Sequence, residues 1–198
     1  MRVEAAEWVI ERIYTGGVDV AVWNKIYRRD FLESNNIRFR EDIWYGEGML
    51  FNITCLQEAD GAAVGERRVY HQTFNPNSAM RSFKMENQYC GLRSLDIQRS
   101  IWKKSTPQIE AAYIFHRREF NWSILTGILR TGSIDKYRKE YEQSIYNLRR
   151  DLSIPLKANI SIKRKVKALL IAVSPGLFAR AWLFARKIYH VLFGKRAE

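Results

Sequence analysis

With 198 residues, 46% of them hydrophobic, the chain has enough apolar material for one globular body with an appendage, which excludes disorder for most of its length. The formal net charge of +12 is unevenly placed: the segment from Lys157 to Glu198 holds ten Lys or Arg and a single acid, and the first 156 residues are close to neutral. A basic tail on a near-neutral body, with no recognised nucleic-acid-binding motif, argues against nucleic acid as the partner.

Residues 3–14 space Val3, Trp8, Val9 and Ile13 at helical intervals, and Gly16-Gly17 supplies a C-terminal stop. The acids Glu4 and Glu7 and the lack of an apolar signal core argue against a signal peptide and predict a cytosolic location. Residues 21–33 predict a second helix or a pair of turns carrying Trp23-Asn24-Lys25-Ile26-Tyr27-Arg28-Arg29. Asn35-Asn36 breaks it, and residues 37–39 form a short extended piece. Tyr45-Gly46-Glu47-Gly48 leads into a third helix over 47–59, with Met49, Leu50, Ile53 and Leu56 as its apolar stripe. Residues 62–73 predict a strand that includes Val69-Tyr70-His71, and Asn75-Pro76-Asn77 predicts a turn. Three more helices follow over 85–104, 108–131 and 134–150, the last capped by Ser133. Cys55 and Cys90 stand singly, without metal-site spacing, and are expected to be buried structural thiols.

The tail, residues 161–193, reads as two helices separated by Ser174-Pro175-Gly176. On a helical wheel Arg180, Arg186, Lys187 and His190 share one sector of the second helix, opposite Leu177, Phe178, Phe184 and Ile188. The longest uncharged run, Ala168 to Ala179, falls short of the roughly 20 residues needed to span a bilayer. The expectation is therefore a helix lying in an anionic membrane surface, the alternative being a helix packed on the protein's own core with its basic face in water. Taken together the elements predict a mainly α fold with a minor β element.

The order of Trp23 to Arg29, the acidic turn at Glu47, Tyr70-His71 and Asn77-Ser78-Ala79-Met80 resembles the family 2 glycosyltransferases of bacterial polysaccharide assembly. The resemblance is close over about residues 3–85 and loose in the tail. It implies an incomplete GT-A-like α/β fold, with residues 1–84 as the acceptor-side half of a catalytic domain, 85–156 a helical region and 157–198 basic membrane-surface helices. It also implies that the nucleotide-sugar-binding half and its Asp-x-Asp are not part of this chain. The expectation is thus a truncated or split member, completed by a separately encoded N-terminal half, or an inactive relative. In complete form such an enzyme takes a sugar from a nucleotide-sugar donor to a saccharide or lipid-linked acceptor of a cell-surface polysaccharide, peripherally on the inner face of the cell membrane. A divalent metal, Mn or Mg, belongs to the complete enzyme, and none is expected on this chain alone.

Inverting sugar transfer needs a carboxylate to take the acceptor's proton and positive charge against the departing diphosphate. The resemblance makes Glu47 the candidate catalytic residue, with Gly48 where the usual base stands; alternatively Glu47 only favours the helix dipole. It makes His71 a ligand of the metal or diphosphate, against a structural histidine, and Ser78 and Arg81 contacts to the donor diphosphate, against solvated loop residues. Trp23 is the candidate platform for a sugar ring, Asn24 a partner for hydroxyls and Lys25 an offset for negative charge. The alternative for this motif is that Trp23 and Tyr27 share a buried helix face. A non-catalytic acceptor-binding or membrane-docking module is the rival reading of the whole chain.

Overall fold

The computed structural model describes residues 2–65, 70, 71, 73, 83–150 and 152–193. They form a mainly helical structure with one two-stranded sheet, as the patterning predicts. The chain divides into two compact units, Met1–Arg117 with Lys157–Asn159, and Arg118–Leu156 with Ile160–Glu198.

The first unit opens differently from the expected helix over 3–14. Arg2–Ala5 is a strand, β1, paired antiparallel with β2 (Gly61–Val64), Val3 opposite Ala63 and Glu4 opposite Ala62. Val3 is largely exposed, so its helical spacing from Val9 and Ile13 does not bring it to the core. Helix α1 (Ala6–Thr15) begins where the Ala6 N–H meets the Asp60 carbonyl, and buries Ala6, Val9, Ile10, Ile13 and Tyr14. It stops at Gly16, whose φ of 75° is the left-handed cap expected there. After the short α2 (Arg29–Ser34), helix α3 (Glu47–Glu58) follows its predicted range and packs against both α1 and α4 (Met85–Ser100).

Gly46 enters α3 at φ 83°, where a side chain is strained, and its carbonyl accepts from Ser94 Oγ at 3.0 Å. At the other end of α3, buried Gln57 takes the N–H groups of Lys103 and Lys104 on its Oε1, at 2.8 and 2.7 Å. One amide therefore ties the end of α3 to the chain beyond α4. Both cysteines are free and buried, as expected: Cys55 packs with Ile37 and Phe51, and Cys90 with Ile43 and Leu50. Burial pushes the Cys55 thiol up to about 11. The strand expected over 62–73 is described as β only to Val64, and most of the remainder lies outside the described residues.

The second unit is assembled from the latter part of α5 (Pro107–Arg130), α6 (Arg138–Arg149), α7 (Ile162–Val173) and α8 (Pro175–Phe193). Helix α6 starts four residues later than predicted, and Ser133 does not cap it. The Ser133 N–H bonds back to the Ile128 carbonyl and its Oγ lies 2.7 Å from Thr131 Oγ1, so it closes α5 behind Gly132 at φ 63°. The tail helices break where predicted, with Pro175 as the first residue of α8. Trp122, Leu125, Leu148, Ile171 and Ala179 form the core, joined by Phe178 and Trp182. The apolar residues of α8 therefore lie on two sides: Phe178, Ala179 and Trp182 pack inward, while Leu177, Phe184 and Ile188 face solvent.

Buried Arg118 finishes α6. Its guanidinium donates to the carbonyls of Asn147, Leu148 and Arg150 at 3.2, 2.6 and 2.8 Å, groups that a helix end leaves unpaired. Arg118→Met is expected to lower stability by about 2–4 kcal/mol by stranding those acceptors. Urea unfolding followed by tryptophan fluorescence checks this, and a loss under about 0.5 kcal/mol would mean that water replaces the arginine.

Candidate functional site

The tryptophan motif lies on a loop, not a helix. Residues 20–28 run between α1 and α2 with a bend at Val22 and a turn at Trp23 and Asn24. Asp19 Oδ1 accepts from the Ala21 N–H at 2.8 Å, and the Lys25 N–H bonds the Val22 carbonyl at 3.2 Å, so the loop folds on itself locally. Its ends are held from α3 by one buried side chain. Asn52 donates through Nδ2 to the Val20 carbonyl at 2.8 Å and accepts the Tyr27 hydroxyl on Oδ1 at 2.6 Å. Tyr27 also meets Phe51 edge-on at 5.2 Å, and Phe51 carries Phe39 stacked at 4.1 Å on another side. Burial raises the Tyr27 pKa, keeping its hydroxyl a donor to Asn52.

With Val20 and Tyr27 pinned, Trp23 points outward. Its ring lies 4.2 Å from that of Tyr70 at an interplanar angle of 35°, and both rings are about half exposed. The shared buried face for Trp23 and Tyr27 is not what the fold adopts: Tyr27 anchors, and Trp23 presents a surface. An exposed tilted aromatic pair offers an apolar face with polar edges. His71, next to Tyr70, is exposed as well.

Lys25 is differently employed. Its Nζ donates to the carbonyls of Asp19 and Ala21, both at 2.6 Å, and to Asn24 Oδ1 at 2.8 Å. An ammonium has three protons, and these three acceptors match them. Desolvation lowers the Lys25 pKa, with Asp19 acting the other way. Asn24 thus turns its oxygen toward Lys25, inside the loop.

The acidic turn adjoins this loop. A Cβ on Gly48 would stand 3.5 Å from both the Val20 carbonyl oxygen and Val22 Cγ1, an ordinary contact, so the first turn of α3 lies against the pinned end of the loop. Glu47 is exposed in that turn, where the helix N-terminus favours an anion. The Glu47-Gly48 turn thus lies against the pinned end of the loop of Trp23, Asn24 and Lys25, and Tyr70 meets the same loop at Trp23. Ser78 and Arg81 lie outside the described residues.

The chain is similar to an uncharacterized glycosyltransferase, EpsJ, of Bacillus subtilis (strain 168), with 37% identity over 57 residues. That stretch is glycosyltransferase-like. It covers 29% of this chain and 17% of the Bacillus protein. No family model matches the chain, and no solved structure matches it. Among the described residues no three His, Cys, Asp or Glu side chains gather as a metal site would require.

Sequence reading missed Asn52 and Tyr70 as parts of this site. Asn52 left one trace, an amide within a run otherwise apolar from Met49 to Ile53, which signals a buried polar group with fixed partners. Tyr70 stood in the Tyr70-His71 motif, but its stacking on a residue 47 positions earlier has no local pattern. Asn52→Leu is expected to cost about 2–4 kcal/mol, because the Val20 carbonyl and the Tyr27 hydroxyl both lose their partner. Hydrogen exchange should quicken at Ala21 and Lys25 more than in α1; uniform loss of protection would assign Asn52 to general core packing instead.

Proposed function

We propose that this chain is the acceptor-side part of a family 2 glycosyltransferase, acting on a saccharide or lipid-linked acceptor of a bacterial surface polysaccharide at the inner face of the cell membrane. The observation that carries the reading is Trp23, paired with Tyr70 and exposed on a loop whose ends Asn52 holds and whose Val20 end meets the Glu47-Gly48 turn, in a chain with a glycosyltransferase-like stretch. A sugar ring presents C–H groups on one face and hydroxyls at its rim. Aromatic rings take the first, and the His71 imidazole and Glu47 carboxylate are suited to the second.

In this reading Glu47 accepts the proton of the acceptor hydroxyl as that oxygen bonds to the anomeric carbon, and the nucleoside diphosphate leaves with the electron pair. In such an enzyme the nucleotide-sugar and its metal, Mn or Mg, are bound by the N-terminal half. Gly48 has room for a side chain at ordinary contact distance, so a carboxylate can be placed there without displacing the loop. Trp23→Ala is expected to weaken retention on immobilised bacterial surface oligosaccharides about tenfold, equivalent to 1.4 kcal/mol, while leaving thermal unfolding nearly unchanged. Equal retention would remove the platform and with it the reading. Calorimetric titration of the isolated chain with UDP- and GDP-sugars and manganese should give no sub-micromolar binding, and such binding would overturn the two-half arrangement.

A second reading, a non-catalytic acceptor-binding module, is favoured by glycine at position 48 and by the internal use of the Lys25 protons. Supplying a nucleotide-sugar-binding half together with Gly48→Asp separates the two. Transfer well above that of the unaltered chain supports a catalytic turn at this position, and saccharide retention with no transfer from either form supports the module.

A further inference from the structure

The inward packing of α7 and α8 leaves each helix with an uncovered apolar line, and the two lines have the same spacing. On α7 it is Ile162, Val166, Leu169 and Val173; on α8 it is Leu177, Ala181, Phe184 and Ile188. Positions i, i+4, i+7 and i+11 fall within a sector of about 60° on a helix. All eight residues are exposed, Val173 by 79% and Leu177 by 69%. They are separate from the buried Ala168 and Ala172 of α7, and from Ile171 of α7 and Phe178, Ala179 and Trp182 of α8, which meet the core around Trp122. The core needs none of the eight.

Charge selects what covers them. From Lys157 to Phe193 there are eight Lys or Arg and no acid. Lys163 sits beside the α7 line, and Arg180 and Lys187 lie exposed near the α8 line. A second copy would bring two such cationic faces together without any acid from the same segments to offset them, which disfavours self-association. An anionic lipid surface satisfies both features: headgroups meet the cations while the apolar lines enter the acyl boundary. Neither helix is long and apolar enough to cross a membrane.

We propose that the lines Ile162-Val166-Leu169-Val173 and Leu177-Ala181-Phe184-Ile188 are the lipid contact of this protein, one line per helix. This rests on the membrane location proposed above and names the contact. Because Phe178 and Trp182 are committed to the core, α8 need not leave the unit in order to bind: the surface is ready-made, and docking requires no unfolding of the bundle.

The test uses the full chain and sedimentation with phosphatidylglycerol-containing vesicles, with pure phosphatidylcholine as control. The doubly altered chain Val173→Asp with Phe184→Asp should bind at least about tenfold more weakly, since charge is placed in the acyl boundary at two exposed positions. Ile26→Asp, the same change at a fully exposed apolar residue of the first unit, should bind as the unaltered chain does. Circular dichroism checks that all forms are folded, and Leu177→Ala with Ile188→Ala gives a milder pair should the aspartates fail that check. Binding by the unaltered chain that neither pair weakens overturns the assigned contact but leaves the membrane location standing. No binding by the unaltered chain at low salt overturns both. An unaltered chain that is dimeric in light scattering, binds no vesicles and becomes monomeric with the aspartates would show that a second copy covers the lines, and the proposal falls.

Discussion

The candidate site hangs on the carboxamide of Asn52. At 2% exposure this side chain must satisfy both its donor and its acceptor inside the protein, and it does so on the two ends of the tryptophan loop. Aspartate has no proton for the Val20 carbonyl, and leucine offers nothing to the Tyr27 hydroxyl. The bond of Tyr27 to Asn52 spans 25 residues of chain and that to Val20 spans 32, so the loop acquires its shape only once α3 is in place. Between the tied residues 20 and 27, Val22 packs on the Ile37 and Phe51 cluster and Lys25 bonds within the loop, while Trp23 is left exposed.

A comparable economy governs the helical second unit. Its core is small, built on Trp122, Leu125, Leu148, Ile171 and Ala179. Its helix ends are closed by side chains, Arg118 at α6 being the clearest case, where one cation serves three carbonyls. Cations also serve the core's edge: Lys167 lies 5.3 Å over the Trp122 ring and 3.8 Å from a Glu119 carboxylate oxygen. Part of the positive charge in this region is therefore structural, and charge alone does not measure how much is available to a partner.

Local patterns revealed most of the helices. Helix α3 follows its apolar stripe and the tail breaks at Pro175, because periodicity and proline act within a few residues. The departures have non-local causes. Val3 has helical spacing to the residues after it, yet pairs with a strand some sixty positions away. Ser133 satisfies the local rule for an N-cap, but the end of α5 claims it first. At the site, the motif residues were visible as a string, while their division into anchor, loop closure and exposed platform depended on Asn52. The single face read onto the α8 wheel divides into two because a wheel cannot say which apolar residues the neighbouring helices require.

The three-way bonding of Lys25 changes what its motif means. A lysine whose protons go to Asp19, Ala21 and Asn24 works as a tetrahedral peg, and the flat fork of an arginine cannot reproduce that convergence. The Asn-Lys pair is thus a word about backbone shape. In this chain it closes a loop that turns its tryptophan outward, and says nothing of what meets that ring.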